Sequence, residues 1–187
     1  TPPSREREPV EGASVSTPVR PAQPAIDPLS DALRIAAARR LLLEVPGPAA
    51  FDRLSALTAR VLGVGHAKVT LFTDHDVVVG GHGLPAGVVG GPALLTGALS
   101  AIIVRQGAPL VIPAAAEDER VHDLPAVTSG QVLSYLGAPL VAASGQVVGA
   151  LAVYDPEPRD WSADAAQLLE QLAASVVAEL ELSAAQS

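Results

Sequence analysis

Apolar residues recur along this chain with two periods, and each change of period marks the edge of an element. Leu29, Leu33, Ala37, Leu41 and Val45 fall every fourth residue and so share one face of a helix. Asp27-Pro28 fits a cap followed by proline at the first helical position, which predicts a helix over 27–45 that Pro46-Gly47-Pro48 stops. Phe51, Leu54, Leu57, Thr58, Val61 and Leu62 predict a second helix ended by Gly63. Lys68 to Thr73 and Val77 to Val79 then read as two strands joined by the polar turn Asp74-His75-Asp76. The glycine-rich stretch from Gly80 to Pro92 is expected to break regular structure. Leu94, Leu95, Ala98, Leu99, Ile102 and Ile103 return to helical spacing as far as Gly107. Pro109 to Pro113 is a short strand bounded by prolines. Residues 114–130 form a loop with some helical turns and carry the densest charges of the body: Glu117, Asp118, Glu119, Arg120, His122 and Asp123.

The following segment is the most specific. Ser134-Tyr135-Leu136-Gly137-Ala138-Pro139-Leu140-Val141 and Gln146-Val147-Val148-Gly149-Ala150-Leu151-Ala152-Val153-Tyr154-Asp155 are strand-length runs joined at Ser144-Gly145, a two-residue hairpin signal because glycine takes the positive φ such turns need. The prolines of Asp155-Pro156-Glu157-Pro158-Arg159-Asp160-Trp161-Ser162 forbid further pairing, and Ser162 can cap a last helix on Leu168, Leu169, Leu172, Val176, Val177 and Leu180.

The order S-Y-L-G-A-P-L, G-Q-V-V-G-A-L-A-V-Y-D and P-R-D-W-S resembles the closing half of a GAF domain, a small signalling module, and the whole element order matches that family over about residues 29–182. The resemblance implies an α+β fold: a central antiparallel sheet of five to six strands, with helices 27–45 and 162–184 together on one face. On the other face the middle helix and segments 80–92 and 113–130 would roof a pocket.

Composition narrows the function. A hydrophobic content of 49% over 187 residues supports one domain with a real core, over 27–187. Residues 1–26, with Pro2, Pro3, Pro9, Pro18, Pro21 and Pro24, read as a disordered tail or linker. Arg5, Arg7 and Arg20 there balance Glu6, Glu8 and Glu11, so the net charge of −8 belongs to the body. A body this acidic, without a basic stripe or paired aromatics, is not expected to bind nucleic acid. Apolar runs are broken well short of the ~20 residues a membrane helix needs, and no secretory signal is visible, so a cytoplasmic location without membrane contact is expected.

With no cysteine in the chain, disulfides, thiolate metal sites and cysteine nucleophiles are excluded. Within the resembled family this also excludes the covalently bilin-binding members and the free methionine sulfoxide reductases, which use cysteine. His66, His75, His82 and His122 lack the spacing that would aim two of them at one ion, so neither metal nor haem is expected. Gly81-His82-Gly83-Leu84-Pro85-Ala86 formally fits a dinucleotide fingerprint, but no helix-forming sequence and no acidic residue follow as that fold requires. No catalytic residue is assigned.

The resemblance implies ligand contacts at His82, Asp118, Arg120 and His122, in the segments over the pocket, and at Tyr135, whose face depends on the register of its strand. It also implies dimerisation through the terminal helices, with Leu33, Ala37, Leu41, Val176 and Leu180 as candidate interface positions. The expected function is a non-catalytic sensory or regulatory module. It would bind a small molecule of unidentified class and relay to a kinase, phosphatase or cyclase output domain. The alternative is a structural dimerisation module with no ligand.

Overall fold

The computed structural model describes residues 24–47, 49–90 and 97–187. The proline-rich segment expected to be a tail lies almost wholly outside them. Ten elements follow one another: α1 (Ala32–Leu43), α2 (Ala49–Leu62), β1 (His66–Phe72), β2 (Asp76–His82), α3 (Gly97–Gln106), β3 (Leu110–Ile112), α4 (Pro125–Thr128), β4 (Ser134–Val141), β5 (Val147–Asp155) and α5 (Ala163–Ala185). Single 3₁₀ turns precede α1 at Pro28–Ser30 and α4 at Ala115–Glu117. The five strands form one antiparallel sheet in the order β2-β1-β5-β4-β3.

Side-chain alternation divides the interior into two layers. Ala67, Val69 and Leu71 of β1, Leu136, Ala138 and Leu140 of β4, and Leu151 and Val153 of β5 pack under α1, α2 and α5. On the opposite face Tyr135, Ala150, Ala152, Tyr154, Leu110 and Ile112 pack with Leu99 and Ile103 of α3 and with Val121, Ala126 and Val127 of the charged loop. The sheet is therefore covered on both sides. Ser162 caps α5 as its sequence suggests, accepting from the Ala165 N–H at 3.0 Å. Arg159 donates to the Leu62 and Gly63 carbonyls that end α2, and the Trp161 indole N–H reaches the Ile112 carbonyl, so the P-R-D-W-S segment fastens α2 and β3 to the start of α5.

Four expectations are corrected. The first helix does not start at Asp27. That residue caps the 3₁₀ turn, and Asp31 caps α1 by accepting from the Leu33 N–H at 2.9 Å. The buried face of α1 is Arg34, Ala38 and Leu41, so Leu33 stands 72% exposed. Gly80 does not break the chain: β2 runs on to His82, and glycine is required at position 80 because a Cβ would lie 2.4 Å from that of Phe51 on the α2 helix packed against it. The β4–β5 connection is longer than two residues. Ala143-Ser144-Gly145 bridge Ala142 and Gln146, whose backbone groups bond at 2.9 Å, and Gly145 takes φ +86°. That is the turn-plus-bulge form of a hairpin.

Arg34 is the unexpected member of the α1 core face. The residue is 3% exposed, and its guanidinium donates to five backbone carbonyls: Pro28 and Leu29 of the 3₁₀ turn, Phe72 and Thr73 at the end of β1, and Val147 of β5. It also lies 5.7 Å from the Phe72 ring centroid. The planar fork suits several acceptors at once, which an ammonium group could not match. Arg34→Ala leaves buried carbonyls unpaired and is expected to cost about 3 kcal/mol in urea unfolding, whereas Leu33→Ser, one residue away on the exposed side, should change stability by less than about 0.5 kcal/mol.

Candidate functional site

β1 lies inside the sheet between β2 and β5, and its second face carries Lys68 and Thr70 where its first carries only apolar residues. Lys68 sits between Gly81 of β2 and Ala152 of β5, and Thr70 between Val78 and Ala150. Small neighbours leave room for the four-carbon lysine side chain. Lys68 is 2% exposed, and its Nζ lies 3.9 Å from Oδ2 of Asp76, the first residue of β2, itself 6% exposed. α3 closes over this pair with Leu99, Ser100 and Ile103. Tyr135 of β4 completes the surroundings, fully buried beside Gly137, with Ile103 above the same glycine.

The cluster is polar and incompletely bonded. Both carboxylate oxygens of Asp76, the Ser100 hydroxyl and the Tyr135 hydroxyl are buried without a hydrogen bond among the described residues. The Ser100 and Thr70 hydroxyls are close enough to Asp76 to favour its charged form, but their geometry falls short of hydrogen bonds. Burial pushes Lys68 down to about 8, with the Asp76 charge pulling it back up. Asp76 is pushed above its usual range by burial, opposed chiefly by Lys68. Tyr135 is raised by burial and then by the Asp76 charge. Such orphaned groups each cost about 1–3 kcal/mol, and a bound molecule with matching donors and acceptors would recover that cost.

Of the five expected ligand contacts, Tyr135 alone lies in this interior. His82 is exposed at the end of β2. Asp118 and Arg120 bind each other on the outer surface, Arg120 Nη2 to Asp118 Oδ2 at 2.7 Å and Nε to Oδ1 at 3.0 Å, and His122 is exposed beside them. Their loop seals the layer from beneath with Ala115, Val121, Ala126 and Val127. Charged residues there face water because the apolar ones take the inward positions. Leu41, Val176 and Leu180, expected at a dimer interface, are enclosed by their own chain, and Ala37 is partly buried against the same layer. Lys68, Thr70, Asp76 and Ser100 escape the sequence reading. The available signal was that Lys68 is the chain's single lysine, placed in a strand. Among the described residues no three His, Asp or Glu side chains gather as a metal site would need, and no helix is long and apolar enough to cross a membrane.

Comparison with known proteins gives this geometry its context. The family model of the GAF domain matches residues 47–180. The chain is similar in structure to the GAF domain of a phosphoenolpyruvate-protein phosphotransferase from Acinetobacter, at 20% identity and a TM-score of 0.62, covering 83% of this chain and 97% of that one. The corresponding domain from Coxiella burnetii has 17% identity and a TM-score of 0.64, with 84% and 98% covered. A free methionine-R-sulfoxide reductase from Neisseria meningitidis, solved with its substrate, has 17% identity and a TM-score of 0.62, with 82% and 89% covered. No curated protein matches the chain by sequence.

The buried lysine makes stability depend on pH in a defined direction. Its folded-state pKa, about 8, lies below the unfolded value of 10.5, so between them the unfolded chain binds more protons and stability rises with pH. Asp76 acts at the acid end, where a raised carboxyl makes stability fall as pH climbs above 3.8. Tyr154, raised to about 12, and Tyr135 reverse the trend only above their unfolded value of 10. Unfolding free energy should therefore rise by about 2 kcal/mol between pH 8 and 10, and Lys68→Met should abolish the rise. A flat profile in the wild-type protein would show that Lys68 titrates as it does in water.

Proposed function

Because the chain belongs to the GAF domain family, the sensory and regulatory modules of signalling proteins, we propose that it is a non-catalytic regulatory domain that binds a small polar molecule over the inner face of its sheet. The observation that carries this reading is the set of orphaned groups around the Lys68–Asp76 pair: Asp76, Ser100 and Tyr135. An apolar layer whose only role was packing would place no carboxylate there, since burying one costs several kcal/mol. The ligand offers N–H or O–H donors to Asp76 and acceptors to the two hydroxyls. The change on binding is relayed to a kinase, phosphatase or cyclase output domain. Catalysis is not part of the proposal. The reductase among the structural relatives belongs to a group that acts through cysteine, and these 187 residues contain none.

A structural reading rests on a separate observation. Leu33 and Leu43 on α1 and Leu182 on α5 are 72%, 85% and 60% exposed, and a shallow groove of about 600 Å³ runs along α1 beside Ile35, Ala36 and Leu43. In this reading the exposed leucines pair two copies and the interior holds no ligand.

Native mass spectrometry of the protein as purified, compared with its denatured mass, separates the two. An added mass that is lost on denaturation, and is absent from Asp76→Asn and Tyr135→Phe variants that still fold, supports the ligand reading. A candidate ligand at a hundred times its Kd stabilises by about 2.7 kcal/mol, or roughly 5–10 °C in a domain of this size, and should give a much smaller shift in either variant. A bare dimer, with no thermal shift from a metabolite panel, would sink the ligand reading and leave the structural one.

A further inference from the structure

Two of the elements that enclose the Lys68–Asp76 pair are tied by arginines to one short segment, residues 27–34, at the entry to α1. The first tie comes from α3. Arg105 holds the Asp27 carboxylate through Nε at 3.3 Å and Nη2 at 3.1 Å. Asp27 accepts from the Leu29 N–H and so caps the 3₁₀ turn, which lies against α3. Ser100, five residues before Arg105 on the same helix, is one of the buried hydroxyls beside Asp76.

The second tie comes from the β1–β2 turn. Arg34 donates to the Phe72 and Thr73 carbonyls, where that turn begins, and to the Pro28 and Leu29 carbonyls of the same 3₁₀ turn. Phe72 is the cross-strand partner of Asp76. Movement of α3 over the site, or of the strand end that bears Asp76, therefore bears on residues 27–34. α5 has no such tie. It packs on the far face of the sheet, and its Glu181 bonds Arg40 and the Ala143 N–H, groups of α1 and the β4–β5 turn.

We propose that the 27–34 junction is where the state of the interior site is read out, with Arg105 and Arg34 as the coupling residues and the signal leaving at the N-terminal end of the domain rather than through α5. This rests on the interior being the ligand site. The division of labour follows from burial. The Arg34 network is enclosed and holds the turn to the junction in all states, whereas the Arg105–Asp27 pair is exposed, with side chains 54% and 43% accessible, and can break and re-form without opening the core. A ligand that shifts α3 changes that pair, and by linkage a change at the pair alters the enclosure of the site.

The test needs no ligand. Lys68 is the only lysine, so acylation by an amine reagent, with peptide mapping to separate the terminal amine, reports how often the interior opens. Arg105→Gln and Asp27→Asn are each expected to raise the Lys68 acylation rate at least about fivefold without moving the urea midpoint. Arg40→Gln, which breaks the pair with α5, should leave the rate unchanged. Reciprocally, Asp76→Asn should speed amide exchange at residues 28–35 and leave 163–185 as they were. Wild-type acylation rates in Arg105→Gln and Asp27→Asn, or equal acceleration of exchange in α5 by Asp76→Asn, would overturn the proposal. Either failure leaves the ligand reading standing, and failure to find a ligand leaves the coupling measurable.

Discussion

Burying a lysine of β1 and an aspartate at the start of the edge strand β2 beneath the second layer is the constraint to which most of this structure answers. Each charge costs several kcal/mol to take out of water, and their mutual attraction at 3.9 Å recovers only part of it. The surroundings are arranged around that deficit. Gly81 and Ala152 flank Lys68 in the sheet, and α3 supplies Ser100 above. The opposite face has no such obligation. There Ala67, Val69 and Leu71 join an apolar cluster with residues of α1, α2 and α5, whose buried polar members are Arg34, Ser55 and Thr58 and include no carboxylate.

The two faces thus differ in what they bury: one is chiefly apolar, the other holds the ion pair. Replacing the Lys68–Asp76 pair as a whole by apolar residues would remove a desolvation cost and leave the packing of both layers in place, whereas removing one partner alone would strand the other charge. In the proposed reading these groups persist because a ligand uses them, and stability is given up in exchange. Polar contacts of the outer layer work differently. Arg34 and Arg159 both donate to backbone carbonyls at element ends, closing gaps that helix and strand geometry leave open.

Legibility from sequence followed the same division. Elements with one apolar face, such as α2 and α5, were readable because burial on one side writes helical spacing directly into the chain, whereas β4 and β5, buried on both faces, showed as continuous apolar runs joined at a glycine turn. Tyr135 could be assigned to the strand but not to a face until its register against Tyr154 was known. Lys68 and Thr70 were the harder case. Their alternation with Val69 and Leu71 is the pattern of a half-exposed strand and marks no site, and only the second layer, supplied by α3 and the 114–130 loop, encloses them. Leu33 failed in the opposite sense. A four-residue repeat drifts around a helix of 3.6 residues per turn, and Arg34, which no hydrophobicity count would choose, holds the inward position.

The central strand pair has a consequence for how the chain comes to be folded. β1 is flanked by β2, its neighbour in sequence, and by β5, whose residues pair with it from 80 positions away. During synthesis the first hairpin must wait, with one edge open and its charged residue unsheltered, until the last strand has left the ribosome. Neither half can close a sheet alone. The domain therefore assembles late and as a whole, slowly for its size, and an interrupted chain displays an adhesive strand edge instead of a smaller folded unit.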